Sequence, residues 1–270
     1  MGAAAPVVQA RAARLRTARA LLDRAVEQGR ARSGVDPVAA STPGEVGAGE
    51  VGAGAAGVGV SGVRLLPVAE PLRGLLPGGG LRGGSTVALP TGSRALLFAL
   101  LAKASEEGSW CALVGLPDSG LVAAKEAGLE LSRLALVPHP GPDLLAVTSV
   151  LLDGLDVVVV AGLERIPVGA RRRLMARARA RGAVLVSMGR LPGADVELVG
   201  TSGRWMGLGA GGAGRLSCRR IRVGASGRGA VGRRRTVAVE LPGLAGAVTG
   251  SSEAVVEFGS VRARDVREVG

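Results

Sequence analysis

The sequence predicts an α/β protein: a mostly parallel sheet flanked by helices, with antiparallel strands added at its C-terminal edge. Three observations predict it. From Val63 onward, short apolar runs alternate with segments of helical period, the order expected of a parallel sheet with right-handed crossovers. The runs themselves, such as Cys111-Ala-Leu-Val and Val157-Val-Val-Val-Ala161, are apolar at nearly every position, as strands covered on both faces must be. After Gly193 the alternation stops and strand-like runs follow one another without helices. Composition agrees. The chain has 270 residues, of which 47% are hydrophobic and only 1% aromatic, so its core must be built from Val, Leu and Ala.

In chain order, residues 1–32 hold a basic amphipathic helix, predicted over 7–32. Val8, Ala12, Leu15, Leu22 and Val26 recur at helical spacing, and Arg11, Arg14, Arg16, Arg19, Arg24 and Arg30 fill the other faces. Residues 33–62 are Gly, Ala, Val, Ser and Pro without periodicity and read as a flexible linker. The core is predicted over 63–241. It begins with a strand at 86–89 and a helix at 95–107, then a strand at 111–116 and a helix at 120–127. A strand at 134–137 and a helix at 142–153 follow, then a strand at 157–161, a helix at 168–181 and a strand at 183–188. Residues 195–201, 215–223 and 236–241 are expected as antiparallel edge strands, with the Gly-rich stretch 207–214 as a mobile loop. Residues 242–270 are expected to be a poorly ordered tail, with a short strand or helix at 254–268.

The net charge is +12, and Lys103 and Lys125 are the only lysines among 34 basic residues. Such an excess of base favours anionic partners, nucleic acid above all. Cys111 and Cys218 lie far apart without metal-ligand spacing and read as reduced core thiols of a cytoplasmic protein. No signal-peptide pattern is evident, and the apolar stretch 144–162 is broken by Asp153 and Asp156, which argues against a membrane span. His139, the single histidine, sits between prolines, and neither Ser187 nor Ser202 has a recognisable acid–base partner.

The stretch Leu75-Leu-Pro-Gly-Gly-Gly-Leu-Arg-Gly-Gly-Ser-Thr-Val-Ala-Leu89 resembles the approach to the phosphate loop of RecA recombinases, and residues 63–165 follow that layout of a P-loop NTPase-type core. Over 63–241 the chain is similar to a narrower group, the ImuA family of actinobacterial type. Arg181-Gly-Ala-Val-Leu-Val, Leu191-Pro-Gly-Ala-Asp-Val-Glu-Leu, Gly203-Arg-Trp-Met-Gly-Leu-Gly and Arg215-Leu-Ser-Cys-Arg-Arg-Ile-Arg-Val carry that resemblance. It implies a RecA-like fold and a nucleoid-associated accessory role in damage-induced (SOS) mutagenesis and translesion synthesis. The partners it implies are an ImuB-like protein and an error-prone polymerase, with RecA as a further candidate partner. SulA-type cell-division inhibitors stand as a related alternative, and a stand-alone nonspecific DNA-binding protein as another.

The phosphate loop itself departs from the working pattern. G-x-x-x-x-G-K-[ST] supplies backbone amides, a lysine for the phosphate oxygens and a hydroxyl for magnesium. Here the residues are Pro90, Thr91, Gly92, Ser93 and Arg94, followed by Ala95. Pro90 lacks an amide donor, the forked Arg94 head does not replace the lysine, and Ala95 has no oxygen. The strand 157–161 ends in Ala161 where an acid is needed, and Asp118 follows the strand 111–116 without clear register. The expectation is a protein that is not an enzyme and needs no cofactor, although Gly92 and the helix start at Ser93 retain the elements of a weak anion site. Two arginine concentrations remain. One is Arg171, Arg172, Arg173, Arg177, Arg179 and Arg181 on the last core helix. The other comprises Arg204, Arg215, Arg219, Arg220, Arg222, Arg228, Arg233, Arg234 and Arg235, with Trp205 as a stacking candidate. By resemblance, the second faces single-stranded DNA.

Overall fold

Glycine, proline and apolar runs punctuate the chain into strands and helices. The computed structural model describes residues 64–200, 203–208, 213–228, 235–242 and 247–250. The predicted helix at 7–32, the linker 33–62 and the segment 254–268 lie outside these residues.

A short antiparallel pair, β1 (Leu65–Pro67) and β2 (Gly80–Arg82), flanks a four-residue helix, α1 (Glu70–Arg73), with Pro71 in its first turn. Proline suits that place because a first-turn amide has no intrahelical partner. The core then alternates β3 (Thr86–Leu89), α2 (Arg94–Glu106), β4 (Cys111–Val114), α3 (Leu121–Glu126), β5 (Leu134–Val137) and α4 (Leu144–Gly154). It continues with β6 (Val157–Ala161), α5 (Val168–Arg181) and β7 (Val184–Met188). Gly182, at φ +67°, ends α5 in the left-handed conformation that closes helices. Five further strands follow among the described residues: β8 (Val196–Gly200), β9 (Arg204–Leu208), β10 (Gly214–Ser226), β11 (Thr236–Glu240) and β12 (Thr249–Gly250).

Ten strands form one sheet in the order β12-β11-β10-β8-β3-β7-β6-β4-β5, with β9 paired to β10. The strands from β8 to β5 run parallel, and β9 to β12 are antiparallel additions. This is the mostly parallel, helix-flanked α/β architecture with an antiparallel C-terminal edge that the sequence predicts. Three details differ. Residues 195–201 are not an antiparallel edge: β8 lies parallel to β3, because the stretch 189–195 carries the chain back to the starting end of the sheet without a helix to advertise the crossover. Gly207 and Leu208 belong to β9 and Gly214 to β10, so part of the expected loop 207–214 is paired strand. Thr249 and Gly250, expected in the tail, pair with β11.

The two faces of the sheet are covered unequally. One carries α1, α2, α3 and the β1–β2 pair, whose Leu66, Leu72, Leu81 and Leu100 pack with Val196, Val223 and Val239 in a single core. The other carries α4 and α5 over β3 to β7, and no residue of β8, β10 or β11 enters that second core. Glu197 stands directly opposite Ala88, a member of the second core, and so shares its face. Beyond Ala88 that face is uncovered by the described residues: Glu197 and Arg222 are exposed and Val199 is 47% exposed.

The step between covered and bare sheet is fixed by Thr86 and Asp195. Thr86 is fully buried and donates to the Asp195 carboxylate through its N–H (2.9 Å) and its hydroxyl (2.8 Å). The Asp195 N–H donates back to the Thr86 hydroxyl at 3.0 Å. Thr86→Val removes that hydroxyl and leaves its partners short of a bond, so it should lower unfolding free energy by roughly 1–3 kcal/mol. Thr86→Ser should recover most of the loss. Urea denaturation of the three proteins checks this, and equal midpoints would show that the bonds do not hold β8 in place.

Candidate functional site

Only four residues, 90–93, connect β3 to α2. They fold back on themselves. The Ser93 N–H donates to the Pro90 carbonyl (3.1 Å) and the Arg94 N–H to the Gly92 carbonyl (2.9 Å). Gly92 takes φ +87°, which permits so tight a turn. Two amides that would cradle a phosphate are thereby committed inside the turn, and Pro90 has none. Ser93 occupies the N-cap position without a side-chain capping bond. Arg94 points toward a cavity of about 210 Å³ that it lines with Phe98, Asp118, Ser119 and Leu241, so the structure brings Asp118 and Arg94 to one hollow.

The acid positions around the turn are rearranged. Ala161 ends β6 beside Gly115, where a Cβ on the glycine would lie 3.2 Å from the Ala161 carbonyl. A further acid, Glu164, carries no signal in the sequence. Its carboxylate oxygen lies 2.9 Å from where a Cβ on Gly189 would stand, and the Thr91 hydroxyl lies 3.5 Å from the same point. Glu164 therefore leans over the ends of β3 and β7 beside the turn. A carboxylate there repels an anion that the helix start would otherwise attract. Its position, three residues past Ala161, signals nothing until Gly189 is seen to leave room for it.

Three of the other nucleophile candidates, Cys111, Cys218 and Ser187, are buried. Cys111 and Cys218 are free and buried, and burial pushes the Cys111 thiol up to about 12, with Asp156 adding to the effect. Ser187 is fully buried between Ala88 and Val160, and its hydroxyl has no partner among the described residues. His139 is exposed on its proline turn. No group of three His, Cys, Asp or Glu side chains among the described residues is placed to hold a metal ion. No helix among them is long and apolar enough to cross a membrane.

The arginines predicted to face DNA divide by environment. Arg204, Arg215 and Arg222 are exposed. Arg219 stands over the Trp205 ring, 5.9 Å from its centre, and Trp205 remains 48% exposed. Arg220 donates to Glu240 across the strand pair at 2.8 Å. Arg235 reaches the Gly74 carbonyl at 3.4 Å and ties β11 to the end of α1. Arg233 and Arg234 lie outside the described residues. Most of these residues sit on the ribbon of β9 and the first half of β10. There Gly207, at φ +112°, passes so close to the facing strand that a Cβ would fall 2.1 Å from the Arg215 carbonyl.

The α5 arginines divide in the same way. Asp153 on α4 accepts from Arg177 Nε (2.8 Å) and Arg181 Nε (3.0 Å), clamping the two helices together. Arg179 reaches Asp195 at 3.3 Å. Arg171, Arg172 and Arg173 make no ion pair among the described residues.

Comparison with known proteins adds three findings. The family described as the MT3502 N-terminal domain matches residues 74–193, which run from the end of α1 to the crossover before β8. The uncharacterized protein Rv3395c of Mycobacterium tuberculosis (strain ATCC 25618 / H37Rv) is 44% identical over 102 residues, covering 37% of this chain. That stretch spans 50% of the length of this curated relative. Among solved structures, the chain is similar to the KaiC-like protein PH0186 of the hyperthermophilic archaeon Pyrococcus horikoshii OT3. The TM-score is 0.48 at 14% identity, over 70% of this chain and 99% of that one.

The Asp153 clamp yields a pH test. The hydrogen bond from Arg177 is the main reason the Asp153 carboxyl is held below its ordinary value, against the opposing effect of partial burial. A carboxyl depressed in the folded state stabilises above its unfolded pKa, about 3.9, and loses that contribution as pH falls through the folded value. Asp153→Asn should therefore lower Tm at pH 7, and the gap from the parent should narrow as both are taken below about pH 4. A gap that stays constant with pH would mean the carboxylate charge is not what joins α4 to α5.

Proposed function

We propose that this protein is a non-catalytic, RecA-like accessory factor of DNA damage tolerance and translesion mutagenesis, acting by binding rather than by turnover. The observation that carries the reading is the turn after β3. It has neither the lysine nor the hydroxyl of a working phosphate loop, two of its amides bond within the turn, and the Glu164 carboxylate leans beside it. Loss of lysine and magnesium ligands together removes the charge stabilisation on which phosphoryl transfer depends. The pathway rests on the resemblance to the ImuA family. In that role the partners are an ImuB-like protein, the error-prone polymerase that works beside it and RecA, with single-stranded DNA as a further ligand in the cytoplasm. The net charge of +12 suits the last of these.

Two measurements test the reading together. Purified full-length protein with magnesium and ATP should release no phosphate above the buffer rate, with or without single-stranded DNA. It should also co-purify with the ImuB-like protein of the same organism at micromolar concentration. Turnover abolished by Arg94→Ala or Asp118→Ala would overturn the non-catalytic reading. Failure to form any complex with the ImuB-like protein would overturn the assignment to damage tolerance.

A further inference from the structure

The sequence places its two arginine concentrations far apart, and the fold brings members of both to one furrow. Where the sheet emerges from under α5, a hollow of about 510 Å³ is lined by Arg171, Arg172, Arg179 and Arg228 over a floor of Met175, Pro192 and Gly193. A second hollow of about 300 Å³ continues from it along the crossover and the bare face of β8, and adds Arg190 and Glu197. The two share Pro192, Gly193 and Arg228. A third, of about 390 Å³, leads from Arg179 and Arg228 round the starting ends of β3 and β8 past Arg82 and Asp195. Arg228, just beyond β10, therefore lines all three.

The charges along this path are unbalanced. Six arginines face two acids, and Asp195 is already bonded to Thr86 and Arg179. Arg171, Arg172, Arg190 and Arg228 make no ion pair among the described residues. Arg171 and Arg179 are eight residues apart on one helix, about 12 Å along its axis. That length exceeds a single phosphate and spans more than one successive phosphate of a nucleic-acid strand. No aromatic residue lines any of the three hollows, so bases find no stacking platform there.

We propose that the furrow between α5, the 190–194 crossover and Arg228 is a track for the phosphodiester backbone of nucleic acid, gripped without base readout. The inference rests on the nucleic-acid part of the function proposed above and moves its main contact surface. The β9–β10 ribbon, with Trp205 and Arg219, is then secondary, because Arg219, Arg220 and Arg235 are already engaged within the protein.

The test uses the full chain and fluorescence anisotropy with labelled oligo-dT and a mixed-sequence duplex, across a salt series. Combining Arg171→Gln, Arg172→Gln and Arg228→Gln should weaken binding by about ten-fold or more at low salt, and flatten the log–log salt slope by about two on oligo-dT and nearly three on the duplex. Arg204→Gln with Arg215→Gln on the ribbon should change affinity far less. Arg228→Gln alone, outside any helix or strand, is the second variant should the triple one misfold, and it should show a smaller loss in the same direction. A loss confined to oligo-dT assigns the track to single strands, and a loss on both probes assigns it to any phosphodiester chain. Either outcome supports the proposal. Full affinity in the furrow variants with loss in the ribbon variant would overturn it and leave nucleic-acid binding standing. Binding to anionic phosphatidylglycerol vesicles with none to either oligonucleotide would also overturn it. Neither result bears on complex formation with the ImuB-like protein, which is read separately.

Discussion

Leu89 and Arg94 are joined by four residues, and the turn they make takes up the Ser93 and Arg94 amides internally. In an α/β sheet the end of a central strand facing a helix start is the natural seat for a phosphate, because amides and helix dipole converge there. Here the Ser93 and Arg94 amides turn inward to Pro90 and Gly92. The short connection also draws the start of α2 onto the sheet, where Leu96, Leu97, Leu100 and Leu101 are buried in the larger core. The tight turn thus holds the buried α2 against the strands.

The uneven covering of the sheet decides where charge on its flanks is exposed. On the side of α1 to α3 the core reaches from β11 across to the central strands. On the side of α4 and α5 it stops at β3, and the chain passes from β7 to β8 through a short stretch that leaves a step in the surface. The step is stable because Asp195 is bound by Thr86 below and Arg179 beside it. Of the two acids on this side, Asp195 is already bonded, so the arginines above the step outnumber the free acid. Asp153 takes Arg177 and Arg181 out of that field and makes them struts between helices.

The central strands were legible in the sequence because burial on both faces leaves no polar position to confuse the pattern: Val157–Ala161 and Cys111–Val114 could hardly be anything else. α5 was legible from Val168 through Arg181, with Gly182 as its stop. The ribbon was not, since β9 ends in Gly207 and Leu208 at the edge of a glycine run, and only pairing with β10 makes a strand of them. The direction of β8 was hidden for a similar reason, because a crossover without a helix reads like a hairpin connection. At the candidate site, the absent lysine and the Ala161 substitution are sequence facts, but Glu164 acquires meaning only through the space left at Gly189. The approach of Arg228 to α5 depends on where β10 ends, and no periodicity encodes it.

The central claim is that the turn at 90–93 is closed to phosphate. Amide hydrogen exchange of the full-length protein, followed over residues 90–97 with and without saturating magnesium–ATP, tests it most directly. Unchanged exchange at Ser93, Arg94 and the first turn of α2 is the predicted result. Nucleotide-dependent protection of those amides would contradict the account, because it would mean the turn opens and its donors turn outward to a phosphate.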